Sequence, residues 1–398
     1  MAPASLQKPQ LLAELQERFQ GRFGRPPAWA VRAPGRVNLI GEHTDYNDGL
    51  VLPCAIDRDT WIVGAARDDA RIRIHSREMS GDAPPAEVRV AGPHDRAGDW
   101  VDYVRGAVEG VGREAGRMPP GLDLAVASEV PSESGLSSSA AFGVALVVAL
   151  ERAMEITLAP EARGRLAHRC ESGFVGVPCG IMDPYASALG RRDHALRIDC
   201  RSEAVEAVPF PGDALRILVA HSGVRRRLAT GGYGDRRAEC EAARGAAEPV
   251  LERPLASLRD VGTEDLSRLE PALEGRLFRR LRHVVTENAR VDAFRAALAA
   301  GEHARAGVLL REGMASLQRD FEVSIPELDV LCEAADAAPG VLGSRLTGAG
   351  FGGCTVHLVE AAQASAAAQR LADCFEARFE RRPPVFEIRP ADGASIFF

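Results

Sequence analysis

Lysine is almost missing from this chain. Of its 49 Lys and Arg residues only Lys8 is lysine, and it sits in a polar N-terminal stretch. The shortage excludes mechanisms. A P-loop needs Gly-Lys-Ser/Thr, and a protein kinase needs a lysine on a strand. A Schiff-base enzyme needs a buried lysine. Paired cysteines are missing as well. Cys54, Cys170, Cys179, Cys200, Cys240, Cys332, Cys354 and Cys374 form no C-x-x-C motif, and their scattered, mostly apolar settings favour reduced thiols over zinc ligands or disulfides. No apolar run reaches membrane-spanning length, and the N-terminal residues show no apolar h-region. A soluble, cytoplasmic protein with no membrane association is expected. The net charge of −7 is modest and gives no reason to expect a nucleic-acid partner. The sequence shows no internal repeat and no long disordered tract.

What is present is a long chain with a sizeable core. The 398 residues suffice for about two domains near 150 residues each, and 46% of them are hydrophobic. The densest polar stretch runs from Ala33 to Asn47, just after the apolar segment Trp29 to Val31. It carries Arg36, Asn38, Glu42, His43, Asp45 and Asn47 among two glycines and a proline, so neither helical nor strand periodicity is sustained. Carboxylates accept hydrogen bonds from hydroxyls, and His or Arg donates them, so such a loop suits a polyhydroxylated ligand. An ordinary charged surface loop accounts for the spacing equally well.

The rest of the chain supplies two further segments of interest. Residues 6–20 have helical spacing and predict a lid-like or packing helix. Strands are expected over Leu50 to Ala66 and Arg71 to His75, an exposed connection over 78–99, and a helix from Trp100 to Val111. A strand over Leu122 to Val130 then leads through the loop 131–139 into Ala140 to Glu155, a helix apolar nearly all round. Strand, small-residue loop, buried helix is an arrangement that aims free N–H groups at an anion. Helix capping by Ser137 to Ser139 uses the same groups, and both readings stand. Residues 160–172 are helical in pattern. Asp183 precedes Pro184, the pattern of an N-cap with proline at the first helical position; a positioned base fits as well.

Val208-Pro209-Phe210-Pro211-Gly212 reads as a break and places a domain boundary there, giving units 1–210 and 211–398. A strand follows over Leu215 to His221. The cluster Arg225 to Arg227 and the pair Arg236-Arg237 flank Tyr233, beside Gly231 and Gly232; clustered arginines either face solvent or meet an acidic ligand. From Pro249 to Ala338 the pattern is helical, with Leu266, Leu269, Leu273, Leu277 and Leu281 expected on one face. The segment Thr347 to Gly353 carries four glycines, which brings backbone into close approach to a neighbouring loop or a phosphate. A strand from Thr355 to Val359, an Ala-rich helix over 361–381 and one or two short strands in the tail complete the reading.

Taken together, three of these segments are specific. The chain resembles the galactokinases, a branch of the GHMP family of small-molecule kinases. Gly35-Arg36-Val37-Asn38-Leu39-Ile40-Gly41-Glu42-His43-Thr44-Asp45-Tyr46-Asn47 is similar to the galactokinase signature, Gly135 to Ala141 to the family's phosphate loop, and Thr347 to Gly353 to its third motif. Cys179 to Asp183 matches the segment carrying the family's catalytic aspartate. The resemblance implies an α+β, two-domain GHMP kinase fold with its active site in the interdomain cleft. It implies ATP and galactose as substrates, Mg²⁺ as cofactor and no obligate protein partner. By motif position Asp183 would be the base that takes the anomeric proton, and Arg36 would hold it ionised and stabilise charge during transfer. Glu42, His43, Asp45, Gly180 and Tyr233 would bind the sugar. Glu133, Ser134, Gly135, Leu136, Ser137, Ser138 and Ser139 would wrap the ATP phosphates, and Ser139 and Glu171 would hold Mg²⁺ directly or through water. Without a usable lysine, the phosphate charge must be met by Mg²⁺, a helix N-terminus and arginine.

Departures from the pattern carry their own expectations. Glu133 and Ser134 stand where the phosphate loop usually has glycine and a small residue. A carboxylate there repels phosphate, and loss of glycine removes conformations with positive φ. Weaker ATP binding is expected, and Glu133→Gly should tighten it; unchanged or lowered ATP affinity in that variant refutes the idea. Pro184 replaces the usual glutamine, Ala349 replaces a glycine, and Gly-Tyr-Gly-Asp-Arg-Arg around Tyr233 departs from the usual Tyr-Asn-x-Arg-Arg. Two alternatives remain at this level: a kinase for N-acetylgalactosamine or arabinose, and a catalytically silent galactose sensor. The intact Ser137-Ser138-Ser139-Ala140-Ala141 and the presence of Asp183 speak against the sensor.

Overall fold

The computed structural model describes residues 8–132, 134–224 and 232–398. Glu133, Arg225 to Arg227 and Gly231, singled out by the sequence, lie outside the described residues. Among the described residues the N-terminal part runs α1 (Lys8–Phe23), β1 (Trp29–Ile40), β2 (Leu50–Arg67), β3 (Arg71–Ser76), β4 (Ala86–Arg89), α2 (Asp102–Ala115), β5 (Gly121–Ser128), α3 (Ser138–Met154), α4 (Pro160–His168), α5 (Met182–Leu189), β6 (His194–Asp199) and β7 (Val205–Pro209). It continues through β8 (Leu215–His221), α6 (Gly232–Leu251), α7 (Leu266–Leu269), α8 (Gly275–Ala299), α9 (His303–Arg319), α10 (Pro326–Asp336), β9 (Val341–Thr347), β10 (Cys354–Glu360), α11 (Ala364–Phe379), β11 (Val385–Ile388) and β12 (Ser395–Ile396).

Two sheets organise these elements. The larger has the order β12-β1-β2-β5-β3-β4, with β6 joined to β2 and β7 to β6; the smaller is β11-β8-β10-β9. The pairings are antiparallel except β3 with β5, where Ile72 lies opposite Leu122. The chain's tail returns to the larger sheet, with Val31 opposite Ile396. Helix α3 is apolar all round because it is covered on every side, from Val144 to Val148 at 0–1% exposure, in one core with Ile62, Leu124 and Val104. Helix α1 puts Leu11, Leu15 and Phe19 against Trp61, Val63 and Ala125, so its role is packing rather than a lid. A second core joins the two sheets: Val37, Leu39 and Leu52 of β1 and β2 meet Phe294, Leu309, Val219 and Leu358. That shared core fixes one sheet against the other and leaves a cleft beside it.

Four expectations change. The first half of the polar stretch is strand, not loop: β1 continues through Ala33-Pro34-Gly35 to Ile40. Alternation is hidden in the sequence because both faces are buried, and irregularities between Pro34 and Arg36 and between Asn38 and Ile40 accommodate the proline and the crowded side chains. The leucines from 266 to 281 do not share one helix. Helix α7 is one turn, and α8 begins only at Gly275, where the Glu274 carboxylate accepts a hydrogen bond from the Arg276 N–H. Leu269, Leu273 and Leu281 nevertheless enter one core. The connection 78–99 holds the short strand β4, paired with β3. Finally, Asp183 is not an N-cap: Ile181 occupies that position, and Asp183 lies inside the first turn of α5.

Candidate active site

The cleft contains a cavity of about 280 Å³. The polar stretch, the loop before α3, the segment 177–183, Tyr233 and the third motif all reach it. Arg36, Glu42, His43, Asp45, Gly135, Ser137, Ser138, Ser139, Glu171, Gly180, Asp183 and Tyr233 line it together with Gly348 and Ala349. Ser134 and Leu136 do not. The Ser134 hydroxyl donates to the Pro131 carbonyl at 2.6 Å, and Leu136 enters the core with Val37. Their side chains shape the loop from behind.

Arg36 and Asp183 meet in the middle of one wall. Arg36 Nε donates to Asp183 Oδ1 at 2.7 Å, Nη2 lies 2.6 Å from the same oxygen, and Nη1 donates to the Gly135 carbonyl at 2.6 Å. The guanidinium thus ties the aspartate to the loop ahead of α3. The backbone makes this possible at Gly35, where a Cβ would come within 2.6 Å of the Leu136 carbonyl oxygen. Arg36 is buried, whereas the Asp183 side chain is 28% exposed and open to the cavity. Asp183 also sits at the positive end of the α5 dipole, where a carboxylate is favoured.

Ser137 decides between capping and a different job. It adopts a left-handed backbone (φ 61°), makes no side-chain cap bond to α3, and donates its hydroxyl to Asp183 Oδ2. The first-turn N–H groups of α3 therefore lack a side-chain cap from that residue, and Ser138 and Ser139 of that turn line the cavity.

Glu171 stands on a π-helical turn, 169–175, directly after α4. It is buried and accepts a hydrogen bond from the Tyr103 hydroxyl at 2.9 Å. Burial pushes its pKa up, with Ser139 and Tyr103 pulling the other way. Among the described residues it has no ion-pair partner, and none of them forms a group of three His, Cys, Asp or Glu able to hold a metal.

On the facing wall, Glu42, His43 and Asp45 follow β1. Gly41 (φ 101°) and His43 (φ 64°) turn the chain into the cavity. His43 Nδ1 is 2.9 Å from the Tyr46 hydroxyl, its Nε2 is 3.2 Å from the Ala349 carbonyl, and its ring packs near those of Phe321 and Tyr233. Burial raises Asp45 to about 6, and Asp183 adds to the rise. Burial raises Glu42 to about 7, opposed by Arg345 and reinforced by Glu287. Gly180 touches Asp45 so closely that a Cβ would lie 2.1 Å from Oδ2. Two of the third motif's four glycines meet protein: a Cβ on Gly350 would strike the Val323 carbonyl and one on Gly352 the Val224 carbonyl. Thr347 Oγ1 accepts the Asn38 N–H at 3.1 Å and donates to its carbonyl at 2.9 Å, which ties this motif to β1. Sequence reasoning missed Arg345, Glu287 and the Ser137–Asp183 bond. A buried charge pair leaves no periodic signal, and a serine in a capping position reads as a cap.

Comparison with known proteins gives this arrangement a context. Residues 17–66 match the galactokinase galactose-binding signature, 102–191 the GHMP kinase N-terminal domain and 294–377 the GHMP kinase C-terminal domain. A galactokinase of Chloroflexus aggregans is 46% identical over 351 residues, 88% of each chain. The human galactokinase is 40% identical over 403 residues, 99% of each chain. The crystal structure of Lactococcus lactis galactokinase complexed with galactose superposes with a TM-score of 0.90 at 31% identity, covering 97% of this chain and 99% of that one. A mevalonate kinase structure, at 16% identity and a TM-score of 0.64, shares the fold alone.

Proposed function

The chain belongs to the galactokinase family, and on that premise we propose that it transfers the γ-phosphoryl group of ATP to the anomeric hydroxyl of α-D-galactose. The products are galactose 1-phosphate and ADP, the first committed step of galactose use. The observation that carries this reading is the Arg36–Asp183–Ser137 constellation at the edge of a cavity lined on its other side by Glu42, His43 and Asp45.

The chemistry follows from the positions. Phosphoryl transfer proceeds through a loose transition state, so positioning and charge carry most of the catalysis. The anomeric oxygen attacks the γ-phosphorus, the bond to the ADP oxygen breaks, and the anomeric proton passes to Asp183. Arg36 and the Ser137 hydroxyl hold that carboxylate in place, and Arg36 adds positive charge beside the transferring group. The loop 133–139 and the N-terminus of α3 receive the phosphates. Glu42, His43, Asp45, Gly180 and Tyr233 orient the sugar. A buried carboxylate with no ion-pair partner among the described residues suits a divalent cation, so Ser139 and Glu171 would hold Mg²⁺, directly or through water. When bound, Mg²⁺ supplies countercharge to the phosphates. Residues 1–210 and 211–398 are the two units that flank the site. A cytoplasmic setting accords with eight free cysteines and, among the described residues, no helix long and apolar enough to cross a membrane.

ADP release with Mg-ATP across a panel of sugars tests the proposal. Turnover should be largest with galactose and far lower with glucose, arabinose and N-acetylgalactosamine. No turnover with any of them, despite galactose binding, overturns it.

A further inference from the structure

Behind the Glu42 wall lies a cluster of charges that no step above uses. Arg345, on β9 just ahead of the third motif, is fully buried, and its Nη2 lies 2.5 Å from Glu42 Oε2 and 2.7 Å from Glu287 Oε1. All three side chains are at 0% exposure. Glu287, on α8, accepts the Gly41 N–H at 2.8 Å through Oε1 and Arg290 Nε at 2.8 Å through Oε2. Glu42 Oε1 also accepts the Gly348 N–H at 3.3 Å. One arginine from the second sheet, with one glutamate from the helix beside it, therefore grips both the backbone and the side chain of the residues that enter the cavity.

We propose that Arg345 is a positioning residue for sugar recognition: with Glu287 as its counter-ion, it fixes the carboxylate of Glu42 at the cavity wall. The inference rests on the reading of that wall as the sugar side. Its physical basis is the burial. An arginine enclosed with two carboxylates has no water to turn to, and both contacts converge on its Nη2, which holds the two carboxylates side by side. The enclosure is tight as well as dry. A Cβ on Gly313 would lie 2.4 Å from Arg345 Nη1, so helix α9 packs closely against the guanidinium at that glycine. A lysine would keep the charge but replace the planar guanidinium, whose single Nη2 reaches both carboxylates, with a compact ammonium on a flexible stem. The two glutamates are not equivalent. Glu287 is closed off by Arg290 and Gly41, whereas Glu42 borders the cavity.

The test is Arg345→Lys, assayed for KM and kcat with each substrate varied in turn. The expected result is a rise of about tenfold or more in the galactose KM at an ATP KM within about twofold of the parent. It should come with loss of discrimination against the one deoxygalactose that lacks the hydroxyl facing Glu42. A double-mutant cycle with Glu42→Gln should be strongly non-additive, the double variant being no worse than Glu42→Gln alone. Multiplicative losses in that cycle, or equal changes in both KM values, overturn the inference. If Arg345→Lys does not fold, Glu287→Gln carries the test, since its amide oxygen can still accept the Gly41 N–H. A raised galactose KM at constant ATP KM supports the proposal, and no change in either refutes it. Absence of galactose turnover in the parent protein would instead refute the function proposed above.

Discussion

The wall that carries Glu42 and the wall that carries Asp183 solve the same problem differently. Glu42 is 1% exposed and answered from inside the protein by Arg345, which is itself held by Glu287. Asp183 is 28% exposed on its side chain and is held by Arg36 and Ser137, leaving it open to the cavity. Breaking a buried pair from one side typically costs about 3–5 kcal/mol, because the remaining charge is stranded. The Glu42 wall is therefore set before any ligand arrives. The Asp183 wall is held in place yet keeps its carboxylate open to the cavity. The difference is one of support: the Glu42 wall takes its rigidity from the second sheet, while the Asp183 wall presents one accessible carboxylate beside a loop with a left-handed residue.

The sharpest way to break the comparison is Asp183→Ala. If that wall is the reacting one, turnover should fall by about 10²–10⁴-fold, the range a positioned proton acceptor contributes, while part of the galactose affinity survives. ADP release and calorimetric titration with galactose read the two quantities. Near-normal turnover would leave the open carboxylate without a role.

Ser137→Gly probes the same wall more gently. It removes the hydroxyl that holds Asp183 Oδ2 and relaxes the left-handed backbone at the same time. A hydrogen bond to an ionised partner contributes about 1.5–3 kcal/mol, so kcat should drop roughly 10–100-fold with the galactose KM nearly constant. A change confined to KM would move Ser137 to the binding side.

Gly180→Ala acts between the walls. A methyl group there would lie 2.1 Å from Asp45 Oδ2, so the loop or the carboxylate must shift. The galactose KM should rise about tenfold, in line with the 1–3 kcal/mol typical of overpacking, and kcat should change less. Initial rates at saturating ATP decide it.

Much of this site was legible in the sequence, and the exceptions have physical causes. Strand β5, the small-residue loop and helix α3 were readable because a helix apolar on every side must be buried on every side, and the serine-rich loop marks where it starts. The strand character of Ala33 to Ile40 was not, because a strand buried on both faces and broken by irregularities shows no period of two. Asp183 reads as a cap next to proline, and only the fold shows its oxygens turned to Arg36 and Ser137. Arg345 and Glu287 are 58 residues apart, and Glu42 is more distant still, so no local pattern could join them.

The smallest effect sharpens the account of the Glu42 wall itself. Burial lifts the Glu42 carboxyl from its ordinary 4.5 to about 7 even with Arg345 beside it. A group with a raised folded pKa adds stability below its unfolded pKa, and that contribution fades as pH rises through the folded value. Wild-type protein should therefore lose stability relative to Glu42→Gln between about pH 4.5 and about pH 7, on the order of 3 kcal/mol at most, since one unit corresponds to about 1.4 kcal/mol. Asp45 shifts in the same direction but is present in both proteins, so it cancels. His283 and His357, held down to about 4 and about 3 by burial, make an opposite contribution that is lost as pH falls below the ordinary histidine range. The whole-protein profile thus mixes both signs, and only the difference between the two denaturant-unfolding series isolates Glu42. A difference independent of pH would mean that Arg345 keeps Glu42 ionised throughout, and the wall would then be a fully compensated ion pair rather than a carboxyl near its titration point.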